Sequence, residues 1–158
     1  MKSIVVAGGC FWGVEAWFKR QPFVKSTTVG YANSSIENPD YKLVCTGSTG
    51  AVEAVRIEYE GPLGQVLDAL YKVIDPTAFN RQGPDVGTQY RTGIYYEDEA
   101  DREAIEKSLN TLSEKLQKPL ATEALPLANF WPAEAYHQDY LDKNPTGYCH
   151  INLNQPLD

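Results

Sequence analysis

Segments with helical periodicity alternate along this chain with short segments that are typical of β-strands. The apolar run from Ile4 to Val6 suits a central strand buried on both faces. We predict strands over residues 2–7, 25–31, 51–59 and 91–96, and helices over residues 11–20, 63–74, 105–116 and 133–143. The first six elements run strand, helix, strand, strand, helix, strand. This order predicts an α+β fold, a ferredoxin-like split βαβ two-layer sandwich with a mixed sheet.

The size and charge of the chain narrow the class of protein. Its 158 residues predict a single domain over residues 1–158 with its own hydrophobic core. The formal net charge of -7, without a basic block, argues against a nucleic-acid partner, and no apolar run is long enough to span a membrane. Three cysteines without a C-x-x-C pair do not form the disulfide framework of a secreted domain. We therefore expect a cytoplasmic protein, and we expect it to be a monomer.

Two stretches of the chain lack any periodicity. Residues 75–89 contain two prolines and two glycines. Long ordered loops in compact domains are usually functional, so we expect this loop to contribute to a site. Residues 144–158 are predicted to form an irregular, mobile C-terminal tail.

Cys10 lies where the first predicted strand gives way to the first predicted helix. The unpaired N–H groups and the positive dipole end of a helix N-terminus favour a thiolate over a thiol. The dipole contributes only about 0.3 to 1 kcal/mol at an exposed site, so further activation, for instance by bound substrate, is needed. Cys10 is therefore a candidate nucleophile. The alternative is one more small core residue beside Phe11 and Trp12.

Glu53 is expected on the apolar face of the strand predicted over residues 51–59. Its neighbours on that face are Ala51, Val55, Ile57 and Tyr59. Loss of water there would raise the pKa of Glu53, keep it protonated near neutral pH and allow it to act as a general acid. The alternative is a carboxylate near a strand end that reaches solvent or pairs with Arg56 or Arg91.

Cys149 lies in the irregular tail, where a thiol can reach another site without disturbing the core. A disulfide to Cys10 would require Cα atoms within roughly 4.4 to 6.8 Å, which a mobile tail can satisfy. Cys45 lacks this freedom and is expected to be a structural thiol. His137 and His150 are expected to have structural or solvated roles. Scattered cysteines and histidines make a poor zinc site, so we predict no metal.

The segment from Gly8 to Gly13, Gly-Gly-Cys-Phe-Trp-Gly, resembles the signature of the methionine sulfoxide reductase A family. Further segments resemble that family in the same order along the chain: Val29 to Ala32, Tyr41 to Gly50, Asp75 to Thr77, Asn80 to Gly83, Asp85 to Arg91, Tyr136 to Leu141 and Gly147 to Cys149. The resemblance spans nearly the whole chain. It implies the reduction of methionine S-sulfoxide, free or in proteins, to methionine.

The resemblance also implies a role for each matching residue. Cys10 is the nucleophile, Glu53 is the acid, and Cys149 is the thiol that resolves the oxidised Cys10. Three further polar residues belong to the catalytic site and bind substrate together with Glu53: Tyr41, Asp85 and Tyr90. The substrate methyl group is held by two aromatic residues, Phe11 and Trp12. The resemblance thus implies that Glu53, which the strand pattern places on the apolar face, and Cys10, at the start of a helix, belong to one site.

The implied reaction needs a thiolate and a nearby acid together, because a sulfoxide sulfur is attacked readily only when its oxygen can accept a proton. Attack leaves methionine and a sulfenic acid on Cys10, with which Cys149 condenses to a disulfide. A thioredoxin-type dithiol then reduces the disulfide. No bound cofactor is expected, and the expected partners are oxidised proteins or free methionine sulfoxide, and thioredoxin.

The sequence departs from the usual pattern of that family in three places. Ala51 and Ile74 each replace a usual histidine, and Asn33-Ser34 replaces a usual glycine pair. These changes leave the proposed catalytic groups in place. We expect them to alter the loop near Ser34 and to remove whatever support the missing imidazole gives.

Two other functions remain open from the residues alone. A cysteine hydrolase or transferase could use His137 as a base, although Glu53 and Cys149 would then be unexplained. The chain could also be a noncatalytic ferredoxin-like binding module whose aromatic residues form a recognition patch.

Overall fold

The structure is a computed structural model that describes residues 2–153. Its strands are β1 (Lys2–Gly8), β2 (Val24–Ala32), β3 (Val52–Tyr59), β4 (Arg81–Gln82), β5 (Asp85–Val86), β6 (Thr92–Tyr96), β7 (Glu123–Pro126) and β8 (Phe130–Pro132). Its α-helices are α1 (Phe11–Lys19), α2 (Tyr41–Cys45), α3 (Leu63–Tyr71), α4 (Asp101–Leu116) and α5 (Tyr140–Lys143). Short 3-10 helices span Thr88–Tyr90 and Ala135–His137. The four predicted strands and the first three predicted helices are confirmed, with ends shifted by a few residues.

The strands form one mixed sheet and one small hairpin within residues 2–153. The sheet has the order β7-β6-β1-β3-β2-β8, and β4 pairs with β5 separately. β1 runs antiparallel to both β3 and β6, β2 runs antiparallel to β3, and β6 and β7 are parallel. Tyr31 on β2 stands opposite Glu53 on β3. The predicted α+β fold with a mixed sheet and helices is confirmed.

Helices α1, α3 and α4 contribute their apolar faces to one core on the sheet. The ring nitrogen of Trp17 on α1 donates a hydrogen bond to the carbonyl of Ala69 on α3 at 3.0 Å, which ties two of these helices together. A smaller cluster on the other face of the sheet is covered by Leu127 and Phe130. The side chains of β1 alternate between the two clusters, with Ile4 and Val6 in one and Val5 and Ala7 in the other. The expectation that β1 is buried on both faces is therefore confirmed.

The outer strands β7 and β8 were not expected from the sequence, because they are short and show no clear alternation. Each ends in a proline, Pro126 or Pro132, which has no N–H to donate to a neighbouring strand. Proline is accommodated at the edge of a sheet, where these two strands lie. β8 also approaches β2 closely at Gly30, where a Cβ atom would lie 2.6 Å from the carbonyl oxygen of Trp131.

The helix predicted over residues 133–143 is wrong. The structure has a 3-10 turn and then the single-turn helix α5, separated by Gln138 and Asp139. The Gln138 side chain bonds to both the N–H and the carbonyl of Val29, which holds this segment against the edge of β2. Asp139 has a φ of 54°, a left-handed conformation that a continuous helix does not allow.

The described part of the C-terminal stretch, residues 144–153, contains no helix or strand, as predicted. Residues 154–158 of the predicted tail lie outside the described residues. The described part is docked rather than loose, because Ile151 belongs to the hydrophobic core and the Arg20 guanidinium donates a hydrogen bond to the carbonyl of Leu153. Within residues 2–153, no helix is both long and apolar enough to cross a membrane.

Candidate active site

Cys10 is the N-cap residue of α1, at the turn that leads from β1 into the helix. Gly9 adopts a φ of 92° in this turn, which favours glycine, and a side chain there would collide with Gln82 and His150. Cys10 is buried, with 8% of its surface exposed. The predicted position of the thiol at a strand-to-helix junction is confirmed.

The surroundings of Cys10 favour the thiol rather than the thiolate. Burial raises the pKa of Cys10 above its ordinary value, and Glu53 raises it further whenever its carboxyl group is ionised. The backbone N–H groups of Trp12 and Gly13 at the start of α1 lower the pKa, but their effect is smaller. The helix N-terminus therefore acts in the predicted direction and is outweighed by the loss of water. The resting Cys10 thiol is therefore protonated at neutral pH.

Glu53 is 1% exposed and lies on β3 with its carboxyl group directed at the start of α1. The N–H of Phe11 donates to Oε1 of Glu53 at 3.2 Å, whereas Oε2 has no hydrogen-bond partner among the described residues. Burial raises the pKa of Glu53 to about 8, and the charge of Asp85 contributes in the same direction. The carboxyl group is therefore largely protonated at neutral pH, as its position on the strand predicted.

The alternative of a solvated or ion-paired Glu53 is wrong. Arg56 pairs with Glu97 at 2.9 Å, and Arg91 pairs with Glu123 at 3.0 Å. Both arginines are thus occupied by other carboxylates.

Tyr41 and Tyr90 reach the same region from separate segments, Tyr41 from the first residue of α2 and Tyr90 from the last residue of a 3-10 turn. Burial raises the pKa of Tyr41, and so does the hydrogen bond that its hydroxyl donates to Tyr90. Burial and then the charge of Glu53 raise the pKa of Tyr90 to about 12. Both hydroxyls therefore keep their protons at neutral pH and are near enough to Glu53 to sense its charge.

Asp85 belongs to the β4–β5 hairpin, inside the loop of residues 75–89 that we expected to be functional. Its carboxylate accepts a hydrogen bond from the Tyr148 hydroxyl at 2.8 Å. Its charge raises the pKa of both Cys10 and Glu53, so the Asp85 carboxylate is close enough to act electrostatically on both groups. The loop and the C-terminal segment thus meet at the site.

Trp12 is held rigidly next to Cys10. Its ring stacks on Tyr140 with a centroid separation of 3.7 Å and an interplanar angle of 7°. Its indole N–H donates to Nδ1 of His137 at 3.0 Å. The ring of Phe11 lies 5.1 Å from that of His137, so the first two residues of α1 share one aromatic cluster. Phe11 is fully buried in this cluster and Trp12 is partly buried, and their contact with the substrate methyl group stays a prediction.

His137 is 1% exposed, and the hydrolase alternative assigned it the role of a base for Cys10. An indole N–H can only donate, so Nδ1 of His137 carries the lone pair and Nε2 carries the proton of the neutral ring. Burial lowers the pKa of His137, and the charge of Glu134 opposes this only in part. The one basic nitrogen is therefore occupied by Trp12, and the hydrolase alternative is unsupported.

Cys149 packs over the first turn of α1. A Cβ atom at Gly13 would lie 3.0 Å from Sγ of Cys149, which in this structure bonds to the carbonyl of Ile151 at 3.3 Å. Cys45 is exposed on α2, where its thiol interacts with the Tyr41 hydroxyl. The structure thus brings Cys149 to the helix turn that begins at Cys10, and it leaves Cys45 at the rim of the site.

No local pattern in the sequence marks Glu134 as a site residue. This carboxylate accepts hydrogen bonds from the Tyr31 hydroxyl at 2.8 Å and from the N–H of Tyr41 at 3.2 Å, and so fixes the start of α2. The sequence likewise predicts no role for Tyr148, although this residue lies beside Cys149 in a segment that resembles the family. Its contact with Asp85 arises between residues distant in the sequence, which periodicity cannot reveal.

The three departures from the usual family pattern have local explanations. Asn33 adopts a φ of 52°, a conformation that asparagine tolerates better than most residues, and its side chain accepts from the N–H of Ala128 at 2.7 Å. Ser34 closes a turn through its hydroxyl and the carbonyl of Ile36 at 2.7 Å. Ala51 is buried in the core, and Ile74 packs over Gly8.

A groove of about 820 Å³ between α3 and α4, near Tyr71, Ser108 and Leu112, contains none of these site residues. Within residues 2–153, no cluster of three or more histidine, cysteine, aspartate or glutamate side chains is arranged to hold a metal ion. The chemical groups that converge around Cys10 are thiols, carboxyls and phenols.

Comparisons with known proteins agree with this arrangement. Residues 2–158 match the family described as "Peptide methionine sulfoxide reductase". The "Peptide methionine sulfoxide reductase MsrA" of Clostridium acetobutylicum is 58% identical over 154 residues, which cover 96% of this chain and 95% of the relative. The protein of the same description from Mycoplasma genitalium is 53% identical over 156 residues, 97% of this chain and 99% of the relative.

Solved structures point to the same group. The reduced form of Mxr1 from Saccharomyces cerevisiae aligns with a TM-score of 0.89 and 38% identity, over 94% of this chain and 88% of that chain. A structure of Mxr1 in complex with Trx2 aligns with a TM-score of 0.63 and 24% identity, over 88% of this chain and 84% of that chain, and it supports the shared fold alone. The chain belongs to the peptide methionine sulfoxide reductase family.

Proposed function

We propose that this protein reduces methionine S-sulfoxide to methionine, with Cys10 as the nucleophile and Glu53 as the general acid. One observation carries the assignment: a buried carboxyl group with a pKa of about 8 is bonded to the residue that follows Cys10, and its second oxygen has no partner among the described residues. A protonated carboxyl group in an apolar wall can give its proton to a sulfoxide oxygen. An intact thioether has no oxygen to accept that proton.

The first step follows from the resting protonation of the two groups. The sulfur of Cys10 attacks the sulfoxide sulfur while Glu53 protonates the departing oxygen. The proton released by the Cys10 thiol restores Glu53. The hydroxyl then moves from the substrate sulfur to the Cys10 sulfur while the sulfur–sulfur bond formed by the attack breaks. This leaves a sulfenic acid on Cys10 and releases methionine, without a net change at Glu53. The raised pKa of Cys10 is compatible with this step, because a bound sulfoxide that is polarised by the site activates the thiol for attack.

The surrounding residues hold the substrate in our proposal. Tyr90 keeps its hydroxyl proton and can donate a hydrogen bond to the sulfoxide oxygen as that oxygen becomes more negative. Tyr41 also keeps its proton, and it can donate to the substrate once that proton turns away from the Tyr90 hydroxyl. Asp85 helps to bind the polar part of the substrate. Phe11 and Trp12 accept the methyl group, and the stacking of Trp12 on Tyr140 keeps that wall in place without substrate.

We propose that Cys149 begins the return of the oxidised Cys10 to its thiol form. The Cys149 thiol condenses with the sulfenic acid on Cys10 to form a disulfide and release one water molecule. A thioredoxin-type dithiol then reduces this disulfide by thiol exchange, and no bound cofactor takes part. The position of Cys149 over the first turn of α1 supports this role. Thioredoxin is therefore the proposed partner, and oxidised proteins and free methionine sulfoxide are the proposed substrates, in a protein-repair role.

The test is to mix the reduced protein, without added reductant, with each epimer of a blocked methionine sulfoxide. We expect the S epimer to give one methionine per chain and to consume two thiols, while the R epimer stays unreduced. Equal rates with the two epimers, or methionine formation without loss of thiols, would contradict the proposal.

We further propose that the fold is ferredoxin-like and forms one domain over residues 1–158. The order β6-β1-β3-β2, with neighbouring strands antiparallel, supports the split βαβ plan.

We also propose that the protein is a cytoplasmic monomer. Sedimentation of the purified protein and fractionation of the cells that contain it test these two statements.

A further inference from the structure

His150, the residue after Cys149, is bonded to the segment that precedes the nucleophile. Its Nε2 lies 2.8 Å from the carbonyl oxygen of Gly8, at the end of β1. A carbonyl oxygen can only accept, so Nε2 of His150 is the donor and carries the ring proton. The bond joins the C-terminal segment to the chain two residues before Cys10.

Two glycines make room for this contact. A Cβ atom at Gly9 would lie 2.9 Å from Nε2 of His150. A Cβ atom at Gly13 would lie 3.0 Å from Sγ of Cys149 and 3.3 Å from Nδ1 of His150. Cys149 and His150 therefore lie over the same side of the first turn of α1, in space that side chains at these two positions would fill.

The C-terminal segment has further attachments on both sides of Cys149 and His150. Ile151 is buried in the core, and Arg20 at the end of α1 bonds to the carbonyl of Leu153. The Tyr148 hydroxyl bonds to Asp85 at 2.8 Å, and a Cβ atom at Gly13 would lie 3.4 Å from Cδ1 of Ile151, so these contacts also hold the segment near the site. Among the described hydrogen bonds of residues 149 and 150, the bond from His150 to Gly8 is the one that connects the segment to the turn that contains Cys10.

We propose that His150 is a positioning residue for the second half of the reaction. By donating to the carbonyl of Gly8, it holds Cys149 against the start of α1, where the thiol meets the sulfenic acid formed on Cys10. A sulfur–sulfur bond then forms between the two cysteines, the sulfur–oxygen bond on Cys10 breaks, and the departing hydroxyl takes the proton of Cys149 to become water. No external oxidant or reductant is needed. This inference rests on the function proposed above.

The test compares His150→Ala with His150→Gln in single-turnover experiments with methionine S-sulfoxide. Methionine is measured after rapid quenching, and the peptide that links Cys10 to Cys149 is measured by mass spectrometry after alkylation. In His150→Ala, disulfide formation should slow by about five- to tenfold, the typical effect of one lost hydrogen bond. The methionine burst should keep its rate. In His150→Gln, the amide N–H can replace Nε2 as donor, so disulfide formation should recover most of its speed.

Arg20→Gln is the matched control, because it loosens the same segment without touching the turn at Gly8. It should leave both steps near their normal rates. Equal slowing in all three variants would overturn the inference, since general loosening of the segment would then be enough. The inference would also be overturned if disulfide formation slowed equally in His150→Ala and His150→Gln while Arg20→Gln stayed normal. It would be overturned as well if the methionine burst of His150→Ala slowed as much as its disulfide formation. Failure of the unmodified protein to form methionine would instead reject the proposed function.

Discussion

The backbone N–H of Phe11 donates to Oε1 of Glu53 at 3.2 Å, a bond that joins the first turn of α1 to β3 in the sheet. It fixes the carboxyl group beside the residue that follows Cys10, and it leaves Oε2 as the oxygen that can meet a substrate. Strand pairing positions Glu53, the proposed acid, and a helix start positions Cys10, the proposed nucleophile. Their geometry therefore depends on the packing of α1 against the sheet.

Glu53→Gln should slow the chemical step by about 10² to 10⁴, because the amide keeps an oxygen for the Phe11 N–H but has no acidic proton to give. In the unmodified protein, the single-turnover rate should fall as pH rises above about 8, where Glu53 loses its proton. The variant should lack that decline. Methionine formed after rapid mixing, measured across pH, checks both statements. A fast step in the variant would remove Glu53 from the acid role.

The same substitution should change how stability depends on pH. Below pH 4.5, Glu53 is protonated in the folded and unfolded chain alike and contributes no pH dependence. Above pH 4.5, Glu53 ionises in the unfolded chain but stays protonated in the folded protein. The free energy of unfolding therefore falls as pH rises, until Glu53 also ionises in the folded protein near pH 8. The free energy of unfolding of Glu53→Gln, taken relative to that of the unmodified protein, should therefore rise by about 3 kcal/mol between pH 4.5 and pH 7. Denaturant titrations at several pH values measure this; parallel pH profiles would show that the pKa of Glu53 is ordinary.

Cys10→Ser should abolish reduction while the fold stays intact, because a serine hydroxyl is a far weaker nucleophile than a thiol. The replacement is nearly the same size, and Cys10 makes no disulfide in this structure. Circular dichroism and thermal unfolding should therefore match those of the unmodified protein. Cys45→Ser is the control and should turn over almost normally. Reduction by Cys10→Ser at a comparable rate would reject the nucleophile.

Cys149→Ser should separate the chemistry from the recycling. One methionine per chain should form at nearly the normal rate, since the oxygen has already moved to Cys10 before Cys149 acts. Repeated turnover with thioredoxin should stop, because thioredoxin needs a disulfide to attack. Dithiothreitol should restore turnover in part by reaching the sulfenic acid directly. Normal cycling of this variant with thioredoxin would show that another thiol resolves Cys10.

Gly13→Ala should slow the formation of the disulfide more than the formation of methionine. The added methyl group would lie 3.0 Å from Sγ of Cys149, so the C-terminal segment must move by a few tenths of an ångström. Alanine is the better helix former, so stability should not fall through the helix itself. Gly64→Ala in α3 is the matched control, because a Cβ atom there meets nothing within 4 Å. Equal disulfide rates in the two variants would mean that the close approach at Gly13 does not matter.

The sequence was informative where one local pattern determines a position. Alternation along residues 51–59 was enough to predict that Glu53 turns toward the core, since side chains on a strand alternate between its faces. The boundary between the first predicted strand and the first predicted helix was enough to predict that Cys10 lies at a helix start. Both features are confirmed by the structure.

Other features depend on contacts between distant segments, which no local pattern records. The helix predicted over residues 133–143 is interrupted because Gln138 bonds to the backbone of β2. The resting state of Cys10 depends on how completely several segments exclude water, which a helix-dipole argument cannot supply. The docking of Cys149 depends on a bond from His150 to Gly8, more than a hundred residues earlier in the chain.

The unpartnered oxygen of Glu53 also bears on how the enzyme discards its product. A sulfoxide and a thioether differ at the reacting centre by one oxygen atom, and Oε2 has no partner among the described residues. In the proposed reaction, a bound sulfoxide would relieve that unsatisfied group, an effect of about 1 to 3 kcal/mol, and the departing methionine would leave it unsatisfied again. Intact methionine side chains, although far more abundant than oxidised ones, would then compete poorly for the site.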